Sequence, residues 1–155
     1  MPSEQTLRRV SGALALIGLG VATYIAIADA SGGAPTCLAG GGGCETVANS
    51  SYSHLLGINV AAFGIAGYVL LFIAAFVPGD AGRFGGLMLA LAGFGFSAYL
   101  TYLELFVIDA ICQWCIASAV LMTLLLLVNG ARAISYVGSE LRQLPDPEQP
   151  LSNAP

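Results

Sequence analysis

Four apolar stretches divide the chain. Residues 10 to about 28 are continuously apolar, as are 58–77, 84 to about 103, and 112 to about 134. The first is long enough to cross a hydrocarbon layer of roughly 30 Å, and each of the others is read as a span of the same kind. A cleaved signal peptide is the competing reading of the first stretch. That run is longer than a signal core, and Tyr24 and Asp29 make a poor small-residue cleavage site, so a retained helix is expected.

Polar and glycine-rich segments separate the stretches. Residues 31–57 contain Gly32, Gly33, Pro35 and the run from Gly40 to Gly43, which cannot be regular structure in lipid because their backbone groups would go unsatisfied. Within that loop, residues 47–56 set Val47, Tyr52, Leu55 and Leu56 among Ser50, Ser51, Ser53 and His54, a pattern that predicts a short amphipathic helix along the interface. Residues 78–83 read as a tight turn and 104–111 as a short connection. Gly85, Gly86, Gly93 and Gly95 leave the third stretch open to close approach by a neighbouring helix. Four prolines from Pro145 onward predict a disordered tail. The expected organisation is a polar head over 1–9, a membrane domain over 10–137 and a tail over 138–155.

Composition turns this pattern into a class. Hydrophobic residues make up 57% of the chain and charged residues 9%, with a mean hydropathy of +0.82. A soluble domain carries about 25% charged residues. The chain is therefore expected to be an all-α integral membrane protein, a four-transmembrane-helix bundle with an extracytoplasmic loop and a short interfacial helix. There is no lysine, and five arginines cannot form a basic nucleic-acid surface.

The arginines also predict orientation. Arg8 and Arg9 precede the first stretch, Arg83 lies between the second and third, and Arg132 and Arg142 follow or end the fourth. Alternation puts all five on one side, which the positive-inside rule makes cytoplasmic. Both termini are then cytoplasmic in a multi-pass protein of the cell membrane. Cys37, Cys44, Cys112 and Cys115 all fall on the opposite side, where disulfides form and persist.

Two cysteine pairs on one side permit thiol–disulfide exchange in series. Cys112-Gln113-Trp114-Cys115 starts a helix, whose unpaired N–H groups stabilise a thiolate. A glycine-rich loop lets Cys37 reach both a soluble partner and the inner pair. A membrane quinone is an apolar acceptor of two electrons, the number a dithiol releases. Two static disulfides are a competing reading. A four-thiolate zinc site is another, but six residues separate Cys37 from Cys44, wider than the usual zinc-ligand spacing, and no metal is expected.

The order of these features resembles the vitamin K epoxide reductase family in its prokaryotic branch. The resemblance rests on Cys37 and Cys44, the run from Cys44 to Ser50, Tyr52-Ser53-His54-Leu55-Leu56-Gly57, Phe63-Gly64, Gly67-Tyr68, the run from Ser97 to Glu104, and Cys112-Gln113-Trp114-Cys115. It covers roughly residues 10–135. It implies a four-helix bundle around a quinone, ubiquinone or menaquinone, with electrons arriving from a thioredoxin-like extracytoplasmic protein. Carried over, Cys37 meets that partner, Cys44 exchanges with Cys112, Cys115 is the thiolate beside the quinone, and Ser50 helps relay between the pairs. The implied catalytic set is Cys37, Cys44, Cys112, Cys115 and Ser50, and the implied quinone contacts are Cys115, Trp114, Asn59, Phe63 and Tyr99. With no room for a fused thioredoxin-like domain, the partner is expected to be separate. Reduction of vitamin K or its epoxide is the alternative activity, and a membrane scaffold the alternative class.

Other polar residues carry bland readings beside functional ones. Asn59 stands where bacterial members often have proline, and helix capping is expected of it ahead of quinone binding. His54 is a solvated interface histidine or a proton carrier. Glu104 and Asp109 snorkel to the headgroups or transfer protons. Trp114 is an interfacial anchor or a quinone wall. Tyr99 and Tyr102 flank the pocket or simply pack.

Overall fold

A computed structural model of the protein describes residues 3–38, 40, 42–55 and 57–143. In chain order these form α1 (Glu4–Ala30), α2 (Gly43–Ala48), β1 (His54–Leu55), β2 (Ile58–Asn59), α3 (Val60–Phe76), α4 (Gly79–Phe106) and α5 (Gln113–Gln143). The four long helices form a ring in which α1 packs on α3 and α5, and α4 packs on α3 and α5. At its centre lie Ala15, Ala22, Tyr68, Leu71, Ala90, Met122 and Leu125.

Three of these helices, α1, α4 and α5, are long and apolar enough to cross a membrane. The fourth, α3, is apolar but has 17 residues, about 25 Å at 1.5 Å per residue. It is shorter than the stretch expected over 58–77 because both ends are set by local chemistry. The Asn59 carboxamide accepts the Ala61 N–H at 2.6 Å and caps the helix. At the other end Val77 is extended ahead of Pro78, as a residue before proline prefers.

Other boundaries moved outward. The polar head is helical from Glu4, because the Ser3 side chain caps the Thr6 N–H. Most of the expected turn over 78–83 is the first turn of α4. The fourth stretch runs on past Ile134 to Gln143, so 138–143 is helix where tail was expected. The proline-rich segment from 145 lies outside the described residues.

The interfacial helix expected over 47–56 is not formed. The short helix lies earlier, at Gly43–Ala48, and the following residues turn into a two-residue hairpin pairing His54 with Asn59 and Leu55 with Ile58. Serine chemistry explains the break. Ser50 Oγ donates to the Val47 carbonyl at 2.7 Å and Ser53 Oγ to the Ser50 carbonyl at 2.9 Å, competing with helical pairing.

Close approach of α4 to α5 depends on two of the four glycines in the third stretch. A Cβ at Gly86 would sit 2.8 Å from Asn129 Oδ1, and one at Gly93 2.9 Å from Met122 Sδ, whereas Gly85 and Gly95 face open space. The two that matter are seven residues apart, on one face of α4.

The bundle has chemically distinct ends. At one, Arg8 donates to the carbonyls of Ala75 and Phe76 at 3.0 and 2.6 Å. There Glu4 also pairs with Arg83 at 3.3 Å and Arg132 at 3.6 Å. Below them the buried Asn129 amide donates to Ser11 and to the Leu125 carbonyl and accepts from Arg132. All four cysteines lie at the other end.

Candidate active site

Cys37 and Cys44 are joined by a disulfide, with Cα atoms 5.8 Å apart, and Cys112 and Cys115 are free thiols. Cys44 on α2 and Cys112 just before α5 are both 2% exposed. Glycine brings the two segments together. A Cβ at Gly43 would run into the Ile111 carbonyl, so the residues immediately preceding the two inner cysteines are in backbone contact. Any side chain at Gly43 would hold α2 away from the start of α5.

A second tie fixes the loop. Trp114 Nε1 donates to the Thr36 carbonyl at 2.9 Å, and the Thr36 N–H donates to the Tyr24 hydroxyl at 3.1 Å. The Tyr24 and Trp114 rings lie 4.9 Å apart between centroids. Thr36, the residue before Cys37, is thus held from α1 and from α5 together.

The CxxC is set by α4. Glu104, 2% exposed, accepts the Cys112 N–H on Oε2 at 3.0 Å, and its own carbonyl accepts the Ala110 N–H at 3.1 Å. The connection between them turns at Asp109, whose φ of 51° is one that Asp tolerates. The Cys112 thiol is pulled down to about 7, first by its hydrogen bond with the Cys115 thiol, against burial, and then by the N–H groups of Cys115 and Trp114. The helix N-terminus therefore contributes as expected, but the partner thiol contributes more.

Both inner cysteines face a cavity of about 160 Å³, lined also by Cys115, Ser50, Asn59 and Phe63. Its walls are mostly apolar. Polar exceptions include Tyr68, whose hydroxyl lies 2.8 Å from Ser118 Oγ, together with Asp29 and Glu104. An apolar slot with a few convergent polar groups suits a flat, apolar quinone head with two carbonyls.

Two expected quinone contacts point elsewhere. Trp114 is not on the cavity wall, because its ring is spent on Tyr24 and Thr36. Tyr99 is 52% exposed on the outer face of α4, and Tyr102, 55% exposed, packs on Phe106. His54 does not line the cavity, but its Nε2 lies 3.4 Å from Asp29, which does. Asp109 is exposed in its turn.

Asp29 and Tyr68 were not picked out from the sequence as site residues. The available signal was a polar group at the end of, or within, an apolar span. Among the described residues no cluster of metal-ligating side chains is present.

The model of the Vitamin K epoxide reductase family matches residues 9–129 of the 155. The chain belongs to that family. No curated protein sequence matches it. Membership in the vitamin K epoxide reductase family implies an oxidoreductase with quinone-linked disulfide chemistry in a membrane. One disulfide and one free dithiol on the same cavity are the parts such chemistry needs.

Proposed function

We propose that the protein is a membrane thiol oxidase. It reoxidises a separate thioredoxin-like extracytoplasmic protein and passes the electrons to ubiquinone or menaquinone. The observation that carries this reading is the burial of Cys44 and Cys112 on one apolar cavity, with Cys37 more open on the loop side.

In the proposed sequence the quinone takes two electrons and two protons from the Cys112–Cys115 dithiol, which becomes a disulfide. The partner's thiolate attacks the Cys37–Cys44 disulfide at Cys37, its second thiol resolves the mixed disulfide, and the freed Cys37–Cys44 dithiol then reduces the Cys112–Cys115 disulfide by exchange, Cys44 attacking first. The quinone supplies the final two-electron acceptor. Ser50, on the cavity wall near the end of α2, helps position the exchanging pairs. Four helices, with α3 the thinnest crossing, span the membrane. The arginine end faces the cytoplasm with both termini, and the cysteine end faces outward.

The test is anaerobic. Purified protein in detergent is given a reduced thioredoxin-like protein and a soluble quinone, and quinone absorbance is followed. Wild type is expected to reduce the quinone, and Cys37→Ala and Cys115→Ala to fail. If wild type leaves the quinone unchanged while its cysteines stay bridged, the disulfides are structural and the oxidase reading is wrong.

A further inference from the structure

We propose that Glu104 is a catalytic residue of the CxxC, accepting a proton from its thiols as they are oxidised. The proposal rests on the oxidase reading and deepens it.

Glu104 is unusual among the charged residues of the chain. It is 2% exposed, and among the described residues no salt bridge reaches it. The arginines that could neutralise it are gathered at the opposite end of the bundle. A buried carboxyl without a cation is costly, so its retention asks for a reason beyond stability. Its contacts supply one. Besides accepting the Cys112 N–H, the carboxyl interacts with the Cys115 thiol, and it lines the same cavity as both cysteines. One side chain therefore touches both members of the reacting pair and the space an acceptor would enter.

The balance of the reaction calls for such a group. As the Cys112–Cys115 bond forms, two S–H bonds break, and two electrons and two protons leave the sulfurs. Both electrons and both protons end on the quinone. In a mostly apolar cavity a thiol proton has few places to go. Glu104 takes one and yields it to the acceptor, returning to its starting state. The other titratable groups on this cavity are Cys112 and Cys115 at the start of α5, Asp29 on α1 with His54 paired to it, Tyr52 in the loop after α2, and Tyr68 on α3. Of the two acids, only Glu104 touches a CxxC thiol.

The plain alternative is that Glu104 only anchors the Cys112 backbone. Glu104→Gln separates the two, since an amide oxygen still accepts the N–H but cannot take a proton. Two readouts are needed on the full-length protein in detergent. The first is single-turnover oxidation of the reduced CxxC by a soluble quinone. Glu104→Gln should slow it by about 10²-fold or more, the range for loss of a positioned acid–base group. Glu104→Asp should fall between that variant and wild type. The second is iodoacetamide labelling of Cys112 against pH in reduced protein without quinone. There Glu104→Gln should move the onset to lower pH, because a carboxylate beside the thiol opposes its ionisation.

Thiols that ionise more easily yet are oxidised more slowly identify the proton role. If both readouts match wild type, or both deteriorate together, Glu104 is a structural anchor and the proposal fails. It also fails if Glu104→Asp is no faster than Glu104→Gln. Wild-type protein that leaves the quinone untouched overturns the oxidase reading as well. An active wild type with an unaffected Glu104→Gln overturns only the role of Glu104.

Discussion

Trp114 and Thr36, 78 residues apart, are joined by a 2.9 Å hydrogen bond from the indole N–H to the backbone carbonyl. The donor lies inside the CxxC and the acceptor beside Cys37, so this bond ties the outer disulfide to the inner dithiol. Trp114→Phe keeps a ring against Tyr24 and removes the donor. A hydrogen bond of this kind contributes about 0.5–1.5 kcal/mol. The variant should therefore pass electrons from the loop to the CxxC up to about tenfold more slowly. Direct oxidation of the prereduced CxxC by quinone should be unaffected. Stopped-flow exchange against single-turnover quinone reduction checks the difference.

Gly43 and Ile111 set the approach of Cys44 to Cys112. Gly43→Ala forces the backbone contact open, with an overpacking cost of about 1–3 kcal/mol. Trapping of a Cys44–Cys112 bridge in a Cys37→Ser, Cys115→Ser background should fall sharply when Gly43→Ala is added. Trapping at the unmodified level would show that the contact does not set the approach.

Because the Cys112 thiol is held down to about 7, its reactivity should be pH-dependent in the neutral range. Below that value the thiol is protonated and labelling of the reduced CxxC should decline. Above it the thiolate dominates and labelling should level off, well before an ordinary thiol near 8.5 would. Mass-spectrometric labelling of Cys112 across pH 5 to 9 (roughly centred on that transition) measures it. Cys115→Ala removes the largest cause, so the transition should move upward.

At the arginine end, Asn129 is the hub of a buried polar group. Asn129→Ala strands the Ser11 hydroxyl and one Arg132 donor in a bundle where water cannot replace the partner. Each unsatisfied group costs about 1–3 kcal/mol. Thermal unfolding in detergent should begin clearly lower, while the labelling profile of the CxxC, at the far end of the bundle, stays that of wild type.

Much of this protein is written in its hydropathy. The apolar runs, the missing lysines and the grouping of arginines against cysteines are one-dimensional facts. They specify helices in lipid because an unpaired backbone cannot survive there. The cysteine spacings and the surrounding motifs were sufficient to indicate the family that the match over residues 9–129 then showed. Capping by Asn59 was legible too, since a carboxamide at a helix start bonds its own neighbours.

What the sequence left open were relationships between residues far apart in the chain. Tyr99 and Trp114 have the composition of pocket walls, yet only the rotation of α4 and the reach of Thr36 decide that they face away. Glu104 reads as an acid at a membrane edge until α4 is packed against α5 and closes over it. The short helix was misplaced by a few residues because serines at 50 and 53 bond back to the chain, a competition that hydropathy does not register. Periodicity fixes which segments avoid water, since that depends on each residue's own transfer energy. Which side chains meet depends on packing among all four helices, and only the tertiary structure decided that.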